Sequence, residues 1–170
     1  MKGLLRGCRV LIAVAVVAWS LTAHTAHAQG LPIGTRAPAV TIQNLNGELV
    51  DLGTMIGKRP ILLEFWATWC PLCEVLLPKL RAAADAYGDR VTFIGVNVTV
   101  SQTKGQVKRY LDEHRPPFVT LWDDEGELVR AYDVLGTSLI TIIDSEGIVA
   151  YSGYGAEQDI IAALRKTVGP

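Results

Sequence analysis

The sequence predicts one α/β domain, a central mixed β-sheet flanked by helices, with an added β-hairpin near its N-terminal end. Three observations carry that expectation. Ile61 to Trp66 is an apolar run interrupted by one carboxylate, and Val91 to Val98 is an apolar run rich in β-branched residues, as in strands covered on both faces. Between them Leu76, Leu77, Leu80, Ala83, Ala84 and Tyr87 recur at helical spacing. Strand, helix, strand at this separation means a parallel pair joined by a right-handed crossover. Upstream, Asn46-Gly47 stands between two short alternating segments, the strongest short-range signal for a hairpin.

The chain has 170 residues, enough for one domain with a substantial core. Apolar residues make up 49% and charged residues 19%, which is globular rather than disordered composition. The net charge of −1 offers no basic surface to nucleic acid or anionic lipid, which argues against a nucleic-acid partner.

Residues 1–28 read as a secretory signal peptide. Lys2, Arg6 and Arg9 give a positive start, Val10 to Leu21 is nearly all apolar, and Ala26-His27-Ala28 supplies an A-x-A cleavage site. The alternative is an uncleaved membrane anchor, although the apolar run is short against the roughly 20 residues of a full span. Cys8 precedes the apolar run, which excludes a lipid-attachment site there. The expected domain is therefore 29–170, periplasmic or secreted, and touching the membrane only through an uncleaved N-terminal segment.

From residue 29 the elements follow in order. Gln29 to Pro38 is an extended lead-in broken by Gly34 and two prolines. Ala39 to Leu45 and Glu48 to Leu52 are the hairpin arms, and Gly53 to Pro60 is a loop or single helical turn. After the strand at 61–66, a helix runs to about Tyr87, with Pro78 inside it to remove a backbone donor and kink it, and with Gly88 as its stop. Ser101 is the predicted cap of a helix from about Gln102 to His114, with Val107, Tyr110 and Leu111 as its apolar face. Arg115-Pro116-Pro117 ends that helix. Phe118 to Trp122 is a short strand, and Asp123 to Gly126 turns into a helix carrying Leu128, Val129 and Tyr132. Leu139 to Ile143 is a strand, Asp144 to Gly147 a turn, and Ile148 to Tyr151 the next strand. A last helix over Glu157 to Val168 shows Ile160, Ile161, Leu164 and Val168 on one side.

The chemistry centres on Cys70-Pro71-Leu72-Cys73. Beyond residue 28 these are the only cysteines. A disulfide across so small a loop stabilises little through chain entropy, and zinc needs about four ligands where residues 29–170 offer two cysteines and His114. A strand feeding a Cys-x-x-Cys at a helix start instead tunes thiols for redox work. The first helical N–H groups lack partners and the helix dipole favours negative charge beside them, so a thiolate there is stabilised.

Several segments together resemble the TlpA/ResA-like branch of the thioredoxin superfamily. They are Ile33-Gly34 with Ala37-Pro38, the Asn46-Gly47 hairpin, Phe65-Trp66-Ala67-Thr68-Trp69-Cys70-Pro71-Leu72-Cys73, Pro78, and Tyr132-Asp133-Val134-Leu135-Gly136 leading into Ile142-Ile143-Asp144 and Gly147. The resemblance covers essentially all of residues 29–170. It implies a thioredoxin-like fold and an exported thiol–disulfide oxidoreductase, without cofactor or metal, that reduces protein disulfides through a Cys70–Cys73 dithiol/disulfide couple. Apocytochrome c during cytochrome c maturation is one such substrate, and a membrane thiol-reductant is the implied electron donor. By the same resemblance Cys70 is the exposed nucleophile, Cys73 the buried resolving thiol, and Trp69, Pro71, Leu72, Thr137 and Ser138 meet the substrate. The place of Cys70 nearest the orphan N–H groups independently favours it as nucleophile. Trp69 reads equally as a half-buried packing aromatic.

Two residues are singled out. Glu64 puts a carboxylate inside an apolar strand, which is costly unless the group is paired or protonated. In thioredoxins an acidic residue six positions before the first cysteine lies beneath the resolving thiol, so Glu64 is expected to accept the proton of Cys73, its pKa raised by burial. The alternative is a glutamate turned to solvent at a sheet edge. Ser138 departs from the family, which has a cis-proline at that place facing the disulfide. A cis bond before a non-proline costs ~2.5–4 kcal/mol, so Thr137–Ser138 is expected to be trans. The rival function is a metal- or cluster-binding module that uses the Cys70 and Cys73 thiolates, opened by loss of that proline. The remaining features read as structural: His114 as a cation at a helix end, Asp123-Asp124-Glu125 as a turn, and Gly153-Tyr154-Gly155 as a loop.

Overall fold

The computed structural model describes residues 29–170, so the predicted signal peptide lies outside the described residues. The hairpin comes first along the chain, made of β1 (Thr41–Asn44) and β2 (Leu49–Asp51). Its turn is anchored by Asn44, whose side-chain oxygen accepts from the amides of Asn46 (2.9 Å) and Glu48 (3.1 Å), with Gly47 at φ +86°. A 3₁₀ turn at Leu52–Thr54 leads to β3 (Ile61–Trp66), followed by α1 (Pro71–Tyr87) and β4 (Thr92–Asn97). The chain continues through α2 (Lys104–His114), β5 (Val119–Trp122), α3 (Glu127–Ala131), β6 (Leu139–Ile143), β7 (Val149–Tyr154) and α4 (Ile160–Val168).

The strands make one seven-stranded sheet in the order β2-β1-β5-β4-β3-β6-β7. β3, β4 and β5 run parallel, as the crossover argument requires, and the other neighbours are antiparallel, so the sheet is mixed. The predicted hairpin is not a separate appendage: Gln43 and Asn44 pair with Trp122 and Leu121, which makes it the far edge of the same sheet.

β3 is buried along its whole length, and its alternation divides the core. Ile61, Leu63 and Phe65 face a layer with Leu128 and Tyr132 from the α3 region. Leu62 faces the opposite layer, where Leu76, Leu80, Ala83 and Tyr87 of α1 meet Ile160, Ala163 and Leu164 of α4. Trp66 lies on that same side and packs with Cys70, Cys73, Val107 and Trp122. Each fully buried leucine there contributes about 1.5–3 kcal/mol. α1 is continuous through Pro78, which sits on its exposed side. Among the described residues no helix is long and apolar enough to cross a membrane.

Two local expectations are corrected. Ser101 does not cap α2; it lies before the helix at φ +55°. Thr103 is the cap, in a reciprocal box where its hydroxyl accepts from the Gln106 amide and the Gln106 side chain reaches back to the Thr103 amide. Gly153-Tyr154 is not loop but the end of β7, paired with Ile140 and Leu139. Glycine is needed at 153 because a Cβ there would overlap the Tyr151 hydroxyl.

Candidate active site

β3 delivers the chain to the site, and α1 begins there. Ala67, Thr68 and Trp69 turn the backbone after Trp66, and Cys70 becomes the N-cap of α1 with Pro71 at the first helical position, where its missing N–H costs nothing. Cys70 and Cys73 form a disulfide with an S–S distance of 2.12 Å. The Sγ of Cys70 accepts from the Cys73 amide at 3.1 Å, and the Cys70 carbonyl accepts from the amides of Cys73 (3.1 Å) and Glu74 (3.3 Å).

Burial does not separate the two cysteines as expected. Cys70 is 2% exposed and Cys73 4%, so the exposed nucleophile of the sequence reading is covered in the disulfide form. What distinguishes them is the cap: the sulfur of Cys70 accepts from the first-turn amide of Cys73, which it shares with the Cys70 carbonyl, and the sulfur of Cys73 accepts no such bond.

The turn before Cys70 is tied down by side chains that the sequence did not mark. The side-chain oxygen of Gln102 accepts from both the amide (3.0 Å) and the hydroxyl (2.8 Å) of Thr68, while its nitrogen donates to Asn97 Oδ1 at 3.0 Å. Asn97 is fully buried at the end of β4 and also accepts from the Thr99 amide at 3.1 Å. The Gln102–Thr68 contacts span 34 residues of sequence, which is why local pattern could not reveal them.

Glu64 is buried, not turned to solvent: it is 2% exposed and sits mid-sheet, paired with Gly95 of β4 and Ile140 of β6. It shares the α1 side of β3 with Leu62 and Trp66. The ring of Phe118 lies over Gly95 and would overlap any Cβ there. Oε1 of Glu64 has no hydrogen-bond partner among the described residues. Burial pushes its carboxyl up to about 8, since little compensates an ionised form. The site thus holds a carboxyl that can carry or accept a proton near neutrality, on the sheet face covered by the helix that bears the disulfide.

The predicted contact residues divide. Trp69 (48% exposed) and Leu72 (38%) lie at the surface with Pro71, and Thr137 is half-buried. The Trp69 indole N–H donates to the Val100 carbonyl at 2.7 Å, which fixes the ring as a wall of a pocket of about 430 Å³ between Val100 and the Leu135–Thr137 segment. Ser138 is fully buried, so its side chain is not part of that surface. Its peptide bond is trans, as expected, since no described residue has a cis bond, and its φ is +67°.

The other candidates are structural. Asp123 is buried, its carboxylate accepting from the amides of Leu128 (3.3 Å) and Val129 (2.9 Å) at the start of α3. The His114 ring stacks on Tyr110 with centroids 3.9 Å apart at the end of α2. Among the described residues no group of three or more His, Cys, Asp or Glu is placed to hold a metal ion.

The Redoxin family model matches residues 32–166. The thioredoxin-like protein YneN of Bacillus subtilis is 28% identical over 151 residues, 88% of this chain and 88% of that protein. The thiol:disulfide interchange protein DsbE of Yersinia pestis is 31% identical over 145 residues, 81% of this chain and 75% of its own length. Among solved structures, the thioredoxin domain of a thiol–disulfide oxidoreductase from Bacteroides vulgatus matches with a TM-score of 0.69 at 24% identity. That match covers 81% of this chain and 99% of the other, which makes the fold thioredoxin-like.

Proposed function

We propose what the cysteine pair does from one premise: the chain belongs to the Redoxin family and is a thiol–disulfide oxidoreductase. Its role is that of an exported reductant of protein disulfides, working through Cys70 and Cys73. The observation that carries this reading is the Cys70–Cys73 disulfide at the first turn of α1, with Glu64 buried on the sheet face beneath that helix.

In the reduced protein Cys70 is the thiolate, because its sulfur sits on the Cys73 amide at the positive end of the helix. It attacks one sulfur of a partner disulfide, forming a Cys70–partner mixed disulfide and releasing the other partner sulfur as a thiolate. Glu64, in its carboxylate form, takes the proton of the Cys73 thiol. The Cys73 thiolate attacks Cys70 Sγ, which re-forms the Cys70–Cys73 disulfide and releases the second partner sulfur. Two electrons have passed from the dithiol to the partner, and a dithiol donor, of the membrane thiol-reductant class, must restore the pair. Trp69, Pro71, Leu72 and Thr137 supply the surface the partner meets. Export, with residues 29–170 as the working domain, rests on the charge pattern and the Ala26-His27-Ala28 site.

Insulin reduction by the purified protein, with dithiothreitol as electron source, tests the activity. Faster precipitation than dithiothreitol alone is expected. No acceleration, or protein that arrives with metal on the two thiolates, overturns the reading in favour of a metal-binding module. Mass spectrometry of the exported protein tests processing, with Gln29 expected as its first residue.

A further inference from the structure

Ser138 carries two features that packing does not explain. It is fully buried, yet its Oγ has no hydrogen-bond partner among the described residues. It also holds φ +67°, a region that a residue with a Cβ avoids. A buried hydroxyl without a partner opposes folding, so its presence calls for a reason.

The surrounding structure is built to keep this serine where it is. Its N–H donates to the Phe65 carbonyl at 2.8 Å, and its carbonyl accepts from the Gly155 amide (3.2 Å) and from Gln158 Nε2 (3.0 Å). Gln158 is itself buried and fixed, accepting from the Tyr151 hydroxyl at 3.1 Å and donating to the Gly155 carbonyl at 2.6 Å. Gly153 leaves room for that pair.

The place of Ser138 suggests what the hydroxyl is for. It precedes β6, whose ladder with β3 ends at Leu139 opposite Phe65, so Ser138 lies at the Trp66 end of β3. There the chain turns into Cys70, and Trp66, Ala67, Cys70 and Cys73 form one buried cluster. A disulfide is a poor acceptor. Reduction by two electrons and one proton leaves one sulfur as a thiol and the other as a thiolate, and a thiolate is a strong acceptor for an O–H donor.

We propose that the Ser138 hydroxyl donates a hydrogen bond to the Cys70 thiolate that reduction creates, and so tunes the acidity and redox equilibrium of the pair. The inference rests on the thiol–disulfide chemistry above. A proline at this place has no donor and could not act so; nor could it keep the bond from N–H to Phe65.

The test compares wild type with Ser138→Gly and Ser138→Ala in the reduced protein. Alkylation of Cys70 is followed against pH, and the pair is equilibrated with a dithiothreitol redox buffer. Glycine suits φ +67°, so that variant removes the hydroxyl without disturbing the loop. Both variants are expected to move the Cys70 titration up by about one pH unit and to shift the equilibrium about tenfold toward the disulfide. A wild-type titration in Ser138→Gly overturns the proposal, and so does a shift seen only in Ser138→Ala, which would trace to the backbone. A wild-type pair that does not exchange at all sinks the functional reading, and this inference with it.

Discussion

The amide of Cys73 donates to the Sγ of Cys70 at 3.1 Å, so the first cysteine of the motif is the side-chain cap of the helix that carries the second. A capping sulfur is stabilised as an anion, whereas Cys73 lies inside the first turn and receives no such bond. Iodoacetamide at about pH 7 should therefore label Cys70 of the reduced protein well before Cys73, as peptide mapping would read. Cys70→Ser should abolish insulin reduction, and Cys73→Ser should trap mixed disulfides visible on a non-reducing gel. Equal labelling of both cysteines would contradict the cap as the source of reactivity.

Glu64 makes the second prediction, in two parts. Replacing the proton acceptor by Glu64→Gln should slow release of the mixed disulfide by about 10²-fold while leaving the first attack nearly unchanged. Stopped-flow kinetics with a fluorescent disulfide substrate separate the two steps.

The same carboxyl sets a pH dependence of stability. Its folded pKa of about 8 lies above the ordinary 4.5, so the folded state holds the proton more tightly than the unfolded chain does. The resulting stabilisation is complete below about pH 4.5 and is lost as pH rises toward 8, the reverse of a salt-bridged carboxylate. Urea unfolding of the oxidised protein at pH 5 and pH 8.5 should show a loss on the order of a few kcal/mol that Glu64→Gln abolishes. A wild-type protein no less stable at the higher pH would show that Glu64 ionises freely.

Much of this was legible in the sequence, and the exceptions share a cause. β3 and α1 were readable because an apolar run and a helical stripe are local signals, and the burial of Glu64 followed from its place within that run. Thr103 is legible too, since Thr-x-x-Gln is a capping signature, although Ser101 two residues earlier offers a competing cap. Gln102 and Gln158 were not legible, because Gln102 acts on Thr68 and Gln158 on Ser138, each distant in sequence. The covering of Cys70 is not legible from its position in the motif, because it depends on how the disulfide seats against Trp66 and Ala67.

The Thr68–Gln102–Asn97 chain gives a further expectation. Gln102→Ala removes the acceptor for both the amide and the hydroxyl of Thr68 and leaves the buried Asn97 without that donor. Loss of about 1–3 kcal/mol in stability is expected. Because Thr68 stands two residues before Cys70, alkylation of the reduced pair should also lose its preference for Cys70. A thermal melt and peptide mapping of the same variant check both, and an unchanged preference would reduce the network to a stability role.

Gly95→Ala tests the floor beside Glu64. The added methyl would overlap the Phe118 ring, which packs 5.6 Å from Trp66 between centroids. Displacing that ring should cost about 1–3 kcal/mol, read as a lower midpoint in urea.

The most direct test of the central claim is the redox equilibrium of Cys70 and Cys73 in metal-free protein. The pair is poised in a series of dithiothreitol buffers and read by thiol trapping and mass spectrometry. The account predicts one reversible two-electron transition between dithiol and disulfide, displaced in Glu64→Gln at pH values near 8. A pair that stays locked in one state across the series, or that titrates as two independent thiols, would contradict it.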